Sequence, residues 1–443
     1  MRAPRCLDSI DEFDFVEWIQ AGDRVTWGQA CSEPVSLTGA LLDQRAALGG
    51  FEVFIGLGAQ ATVRPEHTDW VEVMSYTGAG PNAALSRAGL LNVLPSHYSD
   101  YPRLITSGRL RVDVVLLQLA PPDQFGHYSL SLGDEWLSPA LESARTVIAE
   151  VNHQAPRTCS RMLTEDELDV IVHTSRPPVE LGRRRPSEVE RRIAENVREL
   201  VQDGATLQVG LGTLPDAILG ALQHHRDLGI HSGAIGDSAV TLVEAGVITN
   251  ARKSTDRGQI VTGSLMGTGR LFDFAKDNPL LQIRDTRYTH DPARLAMQTR
   301  FTAINSAFEV DLTGQVNAEV ASGRYLGAVG GSIDFLRGAA RAPEGVPIVA
   351  LPARAGNQPR IVASLSGPVS TPRADAGIVV TEFGVADLRG KSLRRRQTEM
   401  VGLAHPDDRE ALERAIAAPG RSSGPRSRHS GSAHVDRGEA SSV

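Results

Sequence analysis

Leu207 to Leu222 reads LQVGLGTLPDAILGAL. An apolar run of strand length ends in Gly210-Leu211-Gly212, and a helical pattern follows with Pro215 in its first turn. Glycines at such a turn let a ligand approach the backbone, and the free N–H groups of the helix start favour an anion such as phosphate. The dinucleotide fingerprint would need a third glycine where Pro215 stands, so a nicotinamide site is disfavoured. A tight strand-to-helix connection with no ligand gives the same pattern.

The unit has an echo upstream. Gly22 to Leu42, GDRVTWGQACSEPVSLTGALL, repeats the order of glycine, strand, glycine, proline and a Gly-Ala-Leu helix. Two copies of one unit suit two related lobes facing each other. Between and beyond them, strand-like runs (FEVFIGLG, VDVVLLQLA, LDVIVHT, VPIVALP, AGIVVTEFG) alternate with helical patterns. That alternation predicts an α/β fold of two related open lobes with largely parallel sheets.

Pro186, with Ser187 as N-cap and Glu190 three residues on, marks a helix start after a basic turn. The lobes are therefore placed at 12–185 and 186–419. The tail, 420–443, has almost no apolar residues and is expected to be disordered.

Composition narrows the class. The 443 residues are 41% hydrophobic, enough for one large or two ordinary cores. No apolar run approaches the ~20 residues that span a bilayer, and the N-terminus lacks a secretory h-region, so a cytoplasmic protein with no membrane partner is expected. A net charge of −7 gives no general attraction for nucleic acid. Cys6, Cys31 and Cys159 are too few and too far apart for a disulfide framework or a CxxC metal site, and neither HExxH nor GxSxG occurs. No metal and no permanently bound cofactor is expected.

Three further segments could carry chemistry. Tyr325 to Ala340, YLGAVGGSIDFLRGAA, sets Gly327, Gly330 and Gly331 before a helix, where amide groups could meet a phosphate or an oxyanion. Ile304 to Glu319 reads as a strand pair turning at Gly314, with Asn305, Glu309 and Asp311 as candidate cleft residues. Gly229 to Asn250, GIHSGAIGDSAVTLVEAGVITN, is a glycine-rich loop around His231 and Asp237 followed by a helix. His127 and His405 stand apart from it.

These segments, together with APPDQFGHYSLSLG, TVIAEVN and VVTEFGVADLRGKSLRRR, resemble the acetyl-CoA hydrolase/transferase family, whose members include 4-hydroxybutyrate and butyrate–acetate CoA-transferases. The likeness runs from about Gly22 to about Ala417. It implies that CoA and acyl-CoA are substrates, with small carboxylates as acceptors, and that CoA meets Gly210, Leu211, Gly212, Thr213, Leu214, Gly327, Gly330 and Gly331.

The resemblance also implies a glutamate nucleophile directly after Gly-Ile-His-Ser, forming an acyl-glutamyl anhydride and then a glutamyl-CoA thioester. This chain has Gly233 there. Asp237 matches a family aspartate that structures the loop and is a weak substitute, as are Glu309 and Glu319. The expected activity is that of an acyl-CoA hydrolase or CoA-transferase, with hydrolysis favoured by the missing carboxylate. A non-catalytic CoA-binding protein is the alternative. A homodimer agrees with the base rate for soluble proteins.

Overall fold

The computed structural model describes residues 3–182 and 184–417. The expected tail, 420–443, lies outside them, as do the last two residues of the second lobe's assigned span.

Eight strands form the first sheet, in the order Arg5–Leu7, Val170–Thr174, Thr146–Asn152, Val114–Leu119, Arg24–Trp27, Phe51–Ile55, Val71–Ser75, Leu91–Val93. Every pairing is parallel. The central strand, VVLLQL, is buried along its whole length. A parallel strand covered on both faces calls for such a run, apolar here except for the buried Gln118. Apolar clusters lie on either side of the sheet, one around Leu37, Leu41 and Val53, the other around Phe54, Tyr101 and Trp136.

The second sheet has six strands, in the order Gly229–Ile230, Thr206–Val209, Phe301–Asn305, Val346–Ala350, Ile378–Thr381, Gly384–Asp387. Its pairings are parallel except the last, an antiparallel hairpin. This is the expected α/β architecture. The helix Glu188–Arg198 starts at the expected place, with Ser187 and Glu190 forming a reciprocal capping box. It buries Ile193, Ala194 and Val197 and packs on the helix Thr213–Ala221.

The echoed units are both real strand-to-helix connections. Arg24–Trp27 leads to the helix Val35–Asp43, and Thr206–Val209 leads to Thr213–Ala221. Each is preceded by a glycine in the left-handed region, Gly22 at φ +81° and Gly204 at φ +77°.

The lobes are joined through main-chain hydrogen bonds. Leu265 N donates to Leu132 O at 2.8 Å, Asp134 N to Gly263 O at 3.0 Å, Thr286 N to Glu135 O at 2.9 Å, and Tyr98 N to Gly330 O at 3.0 Å. At a second seam, Gly78 N and Thr77 Oγ1 both donate to Gly327 O at 3.0 Å. A Cβ at Gly78 would lie 2.1 Å from Tyr325 O, so the two backbones meet too closely for any side chain.

Candidate active site

Residues just past the strand ends converge between the lobes. Gln29, Leu57, Tyr76 and Tyr98 follow four neighbouring strands of the first sheet. Gly210 follows Val209, and Asn305 ends its own strand in the second. In open parallel sheets the carboxyl ends of the strands are where ligands bind, and here two such edges face one another. Between them lies a cleft of about 200 Å³, which shares Leu57, Val209, Gly210 and Leu211 with the lining of a larger adjoining cavity of about 310 Å³.

The second lobe's wall is built around glycines, with the side chains of Gln208, Met266, His290, Asn305 and Phe335 beside them. Gly210, Leu211, Gly212 and Thr213 line the larger cavity, and Gly210 and Leu211 also reach the cleft. Gly212 has φ +116°, a conformation that requires glycine although nothing lies within 4 Å of its missing Cβ. Gly330, at φ +58°, and Gly331 line the cleft opposite. Leu214 lines neither cavity: it is buried in the core beneath the turn. Gly327 sits in the seam with Thr77 and Gly78, where a Cβ would lie 1.9 Å from Ala318 O.

The segment 229–237 divides its labour. Buried Lys253 fixes its backbone, Nζ donating to Ile230 O and Gln259 O, both at 2.8 Å. Burial pulls that amine down to about 8. Asn250 Oδ1 accepts from Ile230 N at 2.9 Å. His231 is wholly buried, stacks on Tyr288 and donates through Nε2 to Thr289 O at 3.2 Å. Burial lowers it to about 3, so it is a neutral structural ring.

Gly233 reaches the cleft, and His290 stands against it. A Cβ at 233 would lie 2.9 Å from His290 Cε1 and 3.0 Å from Nε2. A Cβ at Gly331 would lie 2.6 Å from the same ring. The imidazole therefore occupies a slot that only two glycines leave open. It packs between Tyr98 and Phe335, Nδ1 is 2.9 Å from Thr289 Oγ1, and burial lowers it to about 3.

Asp237 lines the larger cavity rather than the cleft. Its Oδ1 accepts from Thr268 N at 3.3 Å and Thr268 Oγ1 at 3.0 Å, holding the loop at the start of a helix. Asn305 is the one acid-segment candidate that reaches the cleft, paired with Gln208. Glu309 accepts from Ser366, Asp311 organises the turn at Gly314, and Glu319 is tied to Ser370 and Tyr325; none of the three lines the cleft. His127 lies beside Asp123 and His405 against Phe383, both away from the cleft.

The first lobe's wall consists of side chains that sequence reasoning missed. Glu135 is 5% exposed and lines the cleft. Its Oε1 accepts from Gln29 Nε2, from Ser264 Oγ at 3.0 Å and from Tyr98 OH at 3.2 Å. Tyr76 OH in turn donates to Gln29 Oε1 at 2.7 Å. Burial pushes the Glu135 carboxyl up to about 7, against the pull of its three hydrogen bonds. The sequence signal was slight, an Asp134-Glu135 pair set between apolar Leu132 and Trp136.

Two domain profiles match the chain: the acetyl-CoA hydrolase/transferase N-terminal domain over residues 5–181 and the C-terminal domain over residues 267–416. The chain belongs to the acetyl-CoA hydrolase/transferase family. Membership places it among enzymes of CoA thioester chemistry, CoA-transferases and acetyl-CoA hydrolases. It is 37% identical to the 4-hydroxybutyrate coenzyme A transferase of Clostridium kluyveri over 405 residues, covering 90% of this chain and 94% of the relative.

Among solved structures this family member resembles RipA from Yersinia pestis, with TM-score 0.88 and 33% identity over 93% of this chain and 97% of that one. It also resembles the 4-hydroxybutyrate CoA-transferase of Porphyromonas gingivalis, with TM-score 0.78 and 32% identity over 93% and 97%. Among the described residues no cluster of three or more His, Cys, Asp or Glu could hold a metal, and no helix is long and apolar enough to cross a membrane.

Proposed function

We propose that this chain hydrolyses small acyl-CoA thioesters, water taking the place of an acceptor carboxylate. The observation that carries this is the slot at Gly233. The family's nucleophilic glutamate is expected there, and the chain offers no side chain at 233 while His290 fills the adjoining space. An acyl-glutamyl intermediate at that position is therefore closed to it.

In this reading the CoA arm follows the larger cavity, past the amide groups of the Gly210–Thr213 turn, and the acyl thioester enters the cleft beside Gly330 and Gly331. Exposed Arg184, on the segment joining the lobes, lines the larger cavity and offers a cation to CoA phosphates. A cleft of about 200 Å³ suits a short acyl group.

The test is an exchange assay followed by mass spectrometry, with a panel of short acyl-CoAs and isotopically labelled carboxylates. Free CoA without labelled thioester is expected. A labelled thioester would establish transfer instead, and neither product would leave a CoA-binding protein without turnover.

A further inference from the structure

We propose that Glu135 is the general base of the cleft, removing a proton from the water that attacks the thioester carbonyl; this rests on the hydrolytic reading above. As the water oxygen bonds to the carbonyl carbon, its proton passes to the Glu135 carboxylate and a tetrahedral anion forms. The C–S bond then breaks. The departing CoA thiolate takes the proton back, leaving a carboxylic acid, CoA thiol and the original carboxylate.

Four observations on the same residue converge. All three of its hydrogen bonds among the described residues fall on Oε1, so Oε2 has no partner among those residues while the residue lines the cavity. Gln29, Tyr98 and Ser264 come from three different segments, which fixes the carboxyl in place as a positioned base requires. The stem also lies beside Gly263, where a Cβ would be 3.4 Å from Glu135 Cγ and 2.7 Å from Gly233 O. That brings the carboxyl to the neighbourhood of Gly233 from the opposite lobe.

The fourth observation is backbone strain. Glu135 has φ +49°, in the left-handed region that disfavours a residue with a side chain. Hydrogen bonds from Asp134 N to Gly263 O and from Thr286 N to Glu135 O, on either side of it, hold it there. Such strain persists where the surroundings over-determine it, and it clusters at functional sites. A carboxyl that titrates near 7 is also matched to proton transfer at neutral pH. Among the residues lining the cleft with it, the titratable ones are Tyr76, Tyr98 and His290, with no lysine or arginine, and Asp134 adjoins it in the chain.

The experiment compares the full chain with its Glu135→Gln and Glu135→Asp variants on acetyl-CoA and butyryl-CoA, from about pH 5.5 to about pH 9. Because the base works deprotonated, the wild-type kcat should rise with pH through about 7. Glu135→Gln should lose about 100-fold or more in kcat, keep KM within about 3-fold, and lose the pH limb. Glu135→Asp should keep the limb at a reduced rate.

Glu135→Gln with an unchanged kcat and pH profile would overturn the assignment while leaving hydrolysis standing. So would a Glu135 peptide that borohydride reduces only after acyl-CoA addition, since that marks a covalent nucleophile. No CoA release by the wild type would remove the hydrolytic reading and this assignment together. If Glu135→Gln fails to fold, the wild-type profile decides, and a flat profile across that range overturns the assignment.

Discussion

The two walls of the cleft are made differently. The second lobe's wall turns on Gly210, Gly233, Gly330 and Gly331, which leave room for a ligand or for the His290 ring, whereas the first contributes the linked side chains of Gln29, Tyr76, Tyr98 and Glu135. A wall opened by glycines tolerates little added volume at those positions, because filling them blocks the site. A wall of hydrogen-bonded side chains tolerates changes of shape but not of polarity, because a buried group left unpaired costs more than its bond was worth.

That contrast can be broken hardest at Gly331. Its φ of −95° is open to any residue, so only space forbids a side chain. Gly331→Val, with its Cβ 2.6 Å from the His290 ring, should reduce kcat/KM for acyl-CoA by about 100-fold, as misplacement of a positioned group does. Steady-state kinetics would check it, and a variant as active as the parent would show that the glycine wall is not part of the site.

Gly233→Glu probes the same slot through stability. The new side chain must displace a buried ring, and overpacking of this kind costs about 1–3 kcal/mol. Thermal melting should show the loss, and adding His290→Ala should recover much of it. A Gly233→Glu protein that melts like the parent would mean that the ring yields freely.

The side-chain wall is sharpened by Gln29→Leu. Removing the amide that donates to Glu135 takes away a hydrogen bond that favours the carboxylate, so the carboxyl should rise further above about 7 and the pH limb should move to higher pH. About 10-fold of kcat at neutral pH should go with it. An unmoved limb would separate Gln29 from the ionisation of Glu135.

The same contrast explains what could be read from the chain. LQVGLGTLPDAILGAL and GAVGGSIDFLRGAA announce their turns because a glycine turn is a local requirement, set by its own backbone and the helix that follows. The strand alternation announced both sheets for the same reason. Leu214 and Gly327 belong to such motifs, yet one faces the core and the other the seam, since a motif does not fix which of its members points at the ligand.

Glu135 and His290 leave no comparable trace. Glu135 is a base candidate only because Gln29 and Ser264 reach it from 106 and 129 residues away, and His290 matters only because Gly233 and Gly331 flank it. Nothing within a few residues of either encodes that meeting.

The seam at Gly78 and Gly327 has one more consequence. Where two main chains touch with no side chain between them, the spacing of the lobes is not a quantity that point substitution can adjust gradually. Substitutions that reshape the cleft therefore act through its lining, at positions such as Leu57, Met266 or Phe335, while the distance between its walls stays set by the backbone.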